Sequence, residues 1–340
     1  MSLWWLLPVV AGLSWLLTGA LRRYALARSL LDIPNARSSH SVPTPRGGGV
    51  AIVLSFLLGL AVLGWMQALP WAAIWALAGA GAAIAMLGFL DDHGHIAARW
   101  RLLGHFAAAA WVLFWLHGLP PLVVWGTAWD AGWLGDLLAA VYLVWLLNLY
   151  NFMDGLDGIA SVEGICVCLG AALLCALTES VADGSAELLL ASAIAGFLFW
   201  NVPPARIFMG DAGSGFLGIV LGTLSLQAAW VAPELFWSWL ILLGVFVVDA
   251  TVTLLRRLSR AEKIYLAHRS HAYQYASRRY GCHLPVTLGV AAINLIWLLP
   301  LALWVGSGRL DGLSGLLIAY LPLAYLALKF RAGEPETGRA

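Results

Sequence analysis

Charge is what this 340-residue sequence has least of. Only 11% of its residues are Asp, Glu, Lys or Arg, where soluble domains carry about 25%. That shortage excludes an ordinary water-soluble globule, and it leaves no dense basic face for nucleic acid. Cysteine is scarce too: Cys166, Cys168, Cys175 and Cys282 are the four present. Three fall in one apolar run, where Cys166 and Cys168 would point apart on a helix, so neither a disulfide framework nor a zinc site is expected. No basic stretch precedes the first apolar run and no small-residue cleavage site follows it. It is read as a retained first span, not a signal peptide. Internal repeats and low-complexity linkers are also missing.

What is abundant is apolar sequence. Hydrophobic residues make up 61% of the chain and the mean hydropathy is +0.84. Many runs reach the roughly 20 apolar residues that span a bilayer as a helix. The fold class expected is therefore an all-α polytopic membrane protein. About eleven transmembrane helices are predicted, over 3–21, 48–66, 71–90, 102–118, 135–152, 159–178, 187–201, 214–232, 235–255, 284–305 and 313–330. They form a single transmembrane domain over 1–330, followed by a short tail over 331–340. With the amino terminus outside, eighteen of the nineteen Lys and Arg residues lie in inside segments, and Arg309 is the exception. This bias predicts a periplasmic N-terminus and a cytoplasmic C-terminus. Trp125, Trp129, Trp133 and Trp237 then fall where an interfacial aromatic belt would sit.

Every polar cluster that suggests chemistry falls on the inside. The central one is Asn148-Leu-Tyr-Asn151-Phe-Met-Asp154-Gly-Leu-Asp157-Gly158. Spacing by three would put Asn148, Asn151 and Asp154 roughly on one helix face. Oxygen ligands beside glycines suit a hard cation such as Mg²⁺ that also touches phosphates; a capped polar helix end is the structural alternative. Asp91-Asp92 closes the third run, where a helix C-terminus disfavours acids, and Arg99 and Arg101 follow. Phe208-Met-Gly210-Asp211-Ala-Gly-Ser214 would make an anion site if a helix began at Ser214. His268-Arg269-Ser-His271 could clamp a pyrophosphate, or form a basic loop on anionic lipid. Asp32 through Gly49, containing Arg46, is rich in turn formers, with no sharper role legible from its residues. Glu163 and Asp249 are intramembrane acids that need partners. Together the clusters supply the inventory of phosphoryl transfer: acids for a cation and a base, and basic groups for a leaving nucleotide.

In this order and spacing, the motifs resemble the polyprenyl-phosphate N-acetylhexosamine-1-phosphate transferases. Asp91-Asp92 is similar to that family's Asp-Asp motif, and Asn148 through Gly158 to its Asn/Asp-Gly motif. Phe208–Ser214 is similar to its third motif, and Pro43–Gly49 to its first inside loop. The His268–Gln274 string resembles the branch that initiates O-antigen and other surface polysaccharides, not the branches with a triple-His string. The resemblance implies that undecaprenyl phosphate attacks a UDP-N-acetylhexosamine in the bacterial inner membrane, with the active site on the cytoplasmic face. It implies Mg²⁺, with Mn²⁺ as substitute, held by Asn151 and Asp211. Asp91 and Asp92 would position or deprotonate the lipid phosphate, and Asp154 and Asp157 would shape the nucleotide and metal pocket. Asn148, Arg46, Arg99, Arg101, Gly210, Ser214, His268, Arg269 and His271 would bind substrate. A homodimer is compatible with it. Two alternatives stand beside this reading: a GlcNAc-1-phosphate transferase of the common-antigen type, and a transporter or flippase for a lipid-linked sugar.

Overall fold

The computed structural model describes residues 3–34, 39–40, 42–94, 96–177, 184–262 and 268–335. Each of the eleven apolar segments is helical in it. The helices are α1 (Leu6–Ala27), α2 (Val50–Trp65), α3 (Trp71–His93), α4 (Ala98–Leu116), α5 (Gly132–Met153), α6 (Ile159–Leu177), α7 (Ser185–Asn201) and α8 (Asp211–Val231). After them come α9 (Pro233–Leu242), α10 (Gly244–Ser259), α11 (Ala272–Tyr280), α12 (Leu284–Ile293), α13 (Leu299–Gly306) and α14 (Gly312–Lys329). A π-helical turn, Asn294–Leu298, joins α12 to α13. Among the described residues six helices are long and apolar enough to cross a membrane: α3, α5, α6, α8, the α12–α13 run and α14. The α9–α10 pair makes a seventh if counted as one span. The protein is thus an all-α polytopic membrane protein. Two expectations are corrected. The span expected over 235–255 is two helices bent by 70°. The eighth helix begins at Asp211, not Ser214.

Helix α8 is the centre of the body, with 83% of its most apolar window buried. It packs most extensively against α3 and α5. Lipid-embedded helices gain little from hydrophobicity toward one another, so close approach through small residues does the work. Gly88 is the decisive case. A Cβ there would lie 2.6 Å from the Ala212 nitrogen and the Asp211 carbonyl carbon. Its absence lets the last turn of α3, carrying Asp91 and Asp92, reach the first turn of α8.

The loop preceding α2 is fastened to the same place. Phe208 N–H donates to the Pro45 carbonyl at 2.8 Å, Gly48 N–H to Phe208 at 2.9 Å and Gly49 N–H to Met209 at 2.9 Å. A Cβ on Gly49 would come within 2.5 Å of the Gly213 Cα. The glycine run that had no legible role is therefore a backbone-to-backbone contact with α8. Upstream, β1 (Leu31–Asp32) pairs antiparallel with β2 (Thr44–Pro45). At the opposite end of the body, a hairpin of β3 (Leu122–Val124) and β4 (Thr127–Trp129) is held by Asp311, whose carboxylate accepts from Trp125 N–H at 2.8 Å.

Both intramembrane acids have partners. Asp249 on α10 accepts from the Ala272 and Tyr273 N–H groups at 2.9 and 3.0 Å. It thereby satisfies the free first-turn donors of α11, the job a capping side chain usually performs. Glu163, fully buried on α6, accepts from Asn294 Nδ2 at 2.6 Å. It braces α6 against the π turn and does not reach the acids around Asp154.

Candidate active site

The C-terminal ends of α3 and α5 and the N-terminal ends of α8 and α12 meet at one end of the body. Two cavities open there and share Asn151 and Asp211.

The first cavity, about 640 Å³, is polar. Asp92, Asn151, Asp154, Asp157, Gly210 and Asp211 line it, with Arg46 from the first loop. Asn151 Nδ2 donates to Asp211 Oδ1 at 2.8 Å and to Ser214 Oγ at 3.0 Å. Asp92 Oδ2 accepts from the Ala212 N–H at 3.4 Å, and its Oδ1 stands 3.8 Å from Arg46 Nη1. Arg46 also donates to the Asp92 carbonyl. Asp154 terminates α5. Burial, then the neighbouring Asp211, Asp92 and Asp157, pushes its carboxyl well above the usual carboxylate range. Asp157 is braced on three sides. Its carboxylate accepts from the Ala205 N–H at 3.0 Å and sits 3.2 Å from His283 Nδ1, while its carbonyl accepts from Thr287 Oγ1 at 3.0 Å. His283 in turn lies 3.0 Å, through Nε2, from the Ser39 carbonyl. The Asp157 carboxylate raises the His283 pKa above its ordinary value.

The second cavity, about 570 Å³, is a groove with apolar walls such as Leu87, Leu102, Val144 and Trp145. Asp91 and Arg101 stand in it as an ion pair at 2.5 Å, and Asp91 also accepts from the Ile96 N–H at 2.9 Å. Asn148 lies in this groove and not in the polar cavity, bonded to the Val144 carbonyl at 2.7 Å. So the face expected to carry Asn148, Asn151 and Asp154 is divided. Asn148 faces the groove, Asp154 the polar cavity, and Asn151 both.

Five expected substrate contacts line neither cavity. Arg99 is exposed and lies over the Trp100 ring at 5.6 Å. Ser214 is buried on α8, where it holds Asn151 and bonds to the Gly210 carbonyl. His268, Arg269 and His271 form a separate patch beside α11. The His268 and His271 rings stack at 4.9 Å, and His271 Nδ1 lies 3.4 Å from Asp249 Oδ1. Burial, then His271 and Arg257, pushes the His268 imidazole down to about 3, so it is neutral at physiological pH.

An oxygen-ligand cation fits the shared wall. Five carboxylates, those of Asp32, Asp92, Asp154, Asp157 and Asp211, line the polar cavity with one arginine among its lining residues, an imbalance that favours a cation or a proton. Among the described residues no three His, Cys, Asp or Glu side chains are placed to hold a metal by themselves. Mg²⁺, which takes one or two protein oxygens and fills its shell with water and phosphate, would need no such cluster.

Residues 74–229 match the model of glycosyl transferase family 4. Over 265 residues the chain is 30% identical to a Bacillus subtilis protein named "Probable undecaprenyl-phosphate N-acetylglucosaminyl 1-phosphate transferase", covering 76% of this chain and 72% of that one. The chain belongs to this family, the polyprenyl-phosphate N-acetylhexosamine-1-phosphate transferases. It is also 29% identical to the undecaprenyl-phosphate alpha-N-acetylglucosaminyl 1-phosphate transferase of Thermotoga maritima over 79% of this chain and 80% of the relative. To the phospho-N-acetylmuramoyl-pentapeptide-transferase of Chlamydia muridarum it is 31% identical, over 68% and 75%. The segment matched by the family model contains Asp91, Asp92, Asn151, Asp154, Asp157 and Asp211, so this transferase family's matched core and the two-cavity junction coincide.

Two lining residues carried no sequence signal, His283 and His105. His283 is a lone His after Cys282, yet it lines the polar cavity. Asp32 and His40, from the turn-rich first stretch, and Gln274, from the His268 string, line it too without having been given a role, the His40 ring lying 4.8 Å edge-on from Phe208. His105 sits among apolar residues of α4 and lines the groove. A polar residue spaced one helical turn from Arg101 was the only available hint of it.

Proposed function

We propose that the protein transfers an N-acetylhexosamine 1-phosphate from a UDP-N-acetylhexosamine to undecaprenyl phosphate at the cytoplasmic face of a bacterial inner membrane. A phosphate oxygen of the lipid attacks the β-phosphorus of the donor. The bond from that phosphorus to the bridging oxygen breaks, UMP leaves, and a lipid-pyrophosphoryl sugar forms. The observation that carries this reading is the junction itself. A polar cavity for a soluble dianion and an apolar groove for a membrane-anchored chain meet at Asn151 and Asp211.

The roles follow from the two environments. Asp211 and Asn151 would hold Mg²⁺, whose charge offsets that developing on the transferring phosphoryl group. Arg46 and Asp92 orient the donor. Arg101, paired with Asp91 in the groove, neutralises the acceptor phosphate, which is mostly ionised near neutral pH. Asp91 therefore positions the lipid and does little proton removal. The His268–His271 patch is kept for the donor's far side or for anionic lipid beside the site. The eighteen-to-one distribution of basic residues supports a cytoplasmic site, eleven spans and a periplasmic N-terminus. A homodimer and a place at the start of O-antigen or related polysaccharide synthesis complete the proposal. The names of two relatives make UDP-GlcNAc the first donor to try.

Membranes containing the protein, undecaprenyl phosphate, Mg²⁺ and a panel of UDP-N-acetylhexosamines test it through UMP release. Release that requires Mg²⁺ and is lost in Asp211→Asn is expected. Absence of UMP with every sugar, from folded protein, would overturn the assignment in favour of lipid-linked sugar transport.

A further inference from the structure

A histidine and an asparagine facing an apolar groove are costly unless something there uses them. His105 and Asn148 are such a pair, on α4 and α5, among the apolar walls of the groove. Asn148 Nδ2 donates to the Val144 carbonyl at 2.7 Å and stands 3.3 Å from His105 Nδ1. The carbonyl fixes the amide's orientation, because the Asn148 oxygen cannot donate to it. The second amide hydrogen therefore points at His105 Nδ1. Nδ1 must accept, and the ring proton must sit on Nε2. Among the described residues nothing is bonded to Nε2. His105 lies one turn beyond Arg101 on α4, so the two occupy the same face.

We propose that His105 Nε2–H is a second donor for the phosphate of the acceptor lipid, with Asn148 holding the tautomer that exposes it. Arg101 supplies charge at the groove's mouth and His105 supplies an aimed neutral donor one turn deeper. Together they fix how far the lipid head enters and so place its attacking oxygen relative to Asp211. Asn148 is a positioning residue that acts through His105. This inference rests on the groove being the acceptor's seat.

The test contrasts two replacements of similar polarity. His105→Gln carries its amide nitrogen near the Nε2 position, and His105→Asn carries it near Nδ1. Steady-state UMP release is measured against undecaprenyl phosphate at saturating UDP-GlcNAc, and against UDP-GlcNAc at saturating lipid. The expected result is a rise of about tenfold to hundredfold in the KM for lipid with His105→Asn, the loss of one hydrogen bond to a charged group. His105→Gln recovers most of it, and the KM for UDP-GlcNAc is unchanged in both. Asn148→Leu, which frees the tautomer, shifts the same KM in the same direction. Equal behaviour of His105→Gln and His105→Asn, or a lipid KM unmoved in both, overturns the proposal. Wild-type turnover in the same assay separates that outcome from a failure of the transferase reading.

Discussion

Asp91 and Asp92 are neighbours in the chain but belong to different cavities. Successive residues on an α-helix point about 100° apart, and the last turn of α3 sits at the wall between the two spaces. Asp91 turns into the apolar groove and pairs with Arg101, whereas Asp92 turns into the polar cavity beside Arg46. One Asp-Asp motif thus contributes one carboxylate to each side, and each carboxylate has its own arginine. The lesson is that adjacency in sequence marked a boundary and not a single cluster. The residues that do share a wall, Asn151 and Asp211, are 60 positions apart and bonded at 2.8 Å.

That comparison can be broken at its hinge first. Asp211→Asn should abolish UMP release, a loss of about a thousandfold or more, because it removes the carboxylate common to both cavities. Chelation of divalent cations should do the same, with recovery on adding Mg²⁺. Residual turnover near wild type would show that the shared wall is not where the chemistry happens.

The next effect concerns how the wall is built. Gly49→Ala forces a Cβ into the contact with Gly213 and should cost about 1–3 kcal/mol. Its melting temperature in detergent should fall, along with donor-side activity, since the loop carrying Arg46 must move away. A melting temperature equal to wild type would mean that this contact is not tight.

His283 offers a smaller, pH-dependent test of the polar side. Its pKa is raised by Asp157, so the pair's contribution is fully present below the unfolded histidine pKa of about 6.5. It is lost as pH rises through the raised folded value. The melting temperature of His283→Ala should therefore fall furthest below wild type in mildly acidic buffer, and the gap should narrow as the buffer becomes alkaline. A gap that widens with pH contradicts the assigned pair. Smallest of all, Arg99→Ala should leave both KM values within about twofold, as expected of an exposed residue away from both cavities.

Much of this fold was legible because long apolar runs admit only one kind of structure in a bilayer. The bend at Leu243 was not, since an apolar run reads the same whether its helix is straight or broken. At the site, Asp92, Asn151, Asp154 and Asp211 stood out because a carboxylate or amide after many apolar residues must have a purpose. His283 and His105 did not, because a single histidine has no spacing to read and only packing reveals its partner. The start of α8 was misplaced for a similar reason. Ser214 looks like a cap, but the chain enters the helix three residues earlier and buries that hydroxyl against Asn151. The glycines at 47–49 became interpretable only when Gly213 was seen on the other side.

The division of substrates between the cavities is tested most directly by measuring both KM values in Arg46→Ala and Arg101→Ala. The account predicts a reciprocal result, each about tenfold, as for a charge-assisted contact to phosphate. Arg46→Ala raises the KM for the UDP-sugar alone, and Arg101→Ala raises the KM for undecaprenyl phosphate alone. If either variant shifted the other substrate instead, or both shifted together, the two cavities would not be the separate seats of donor and acceptor.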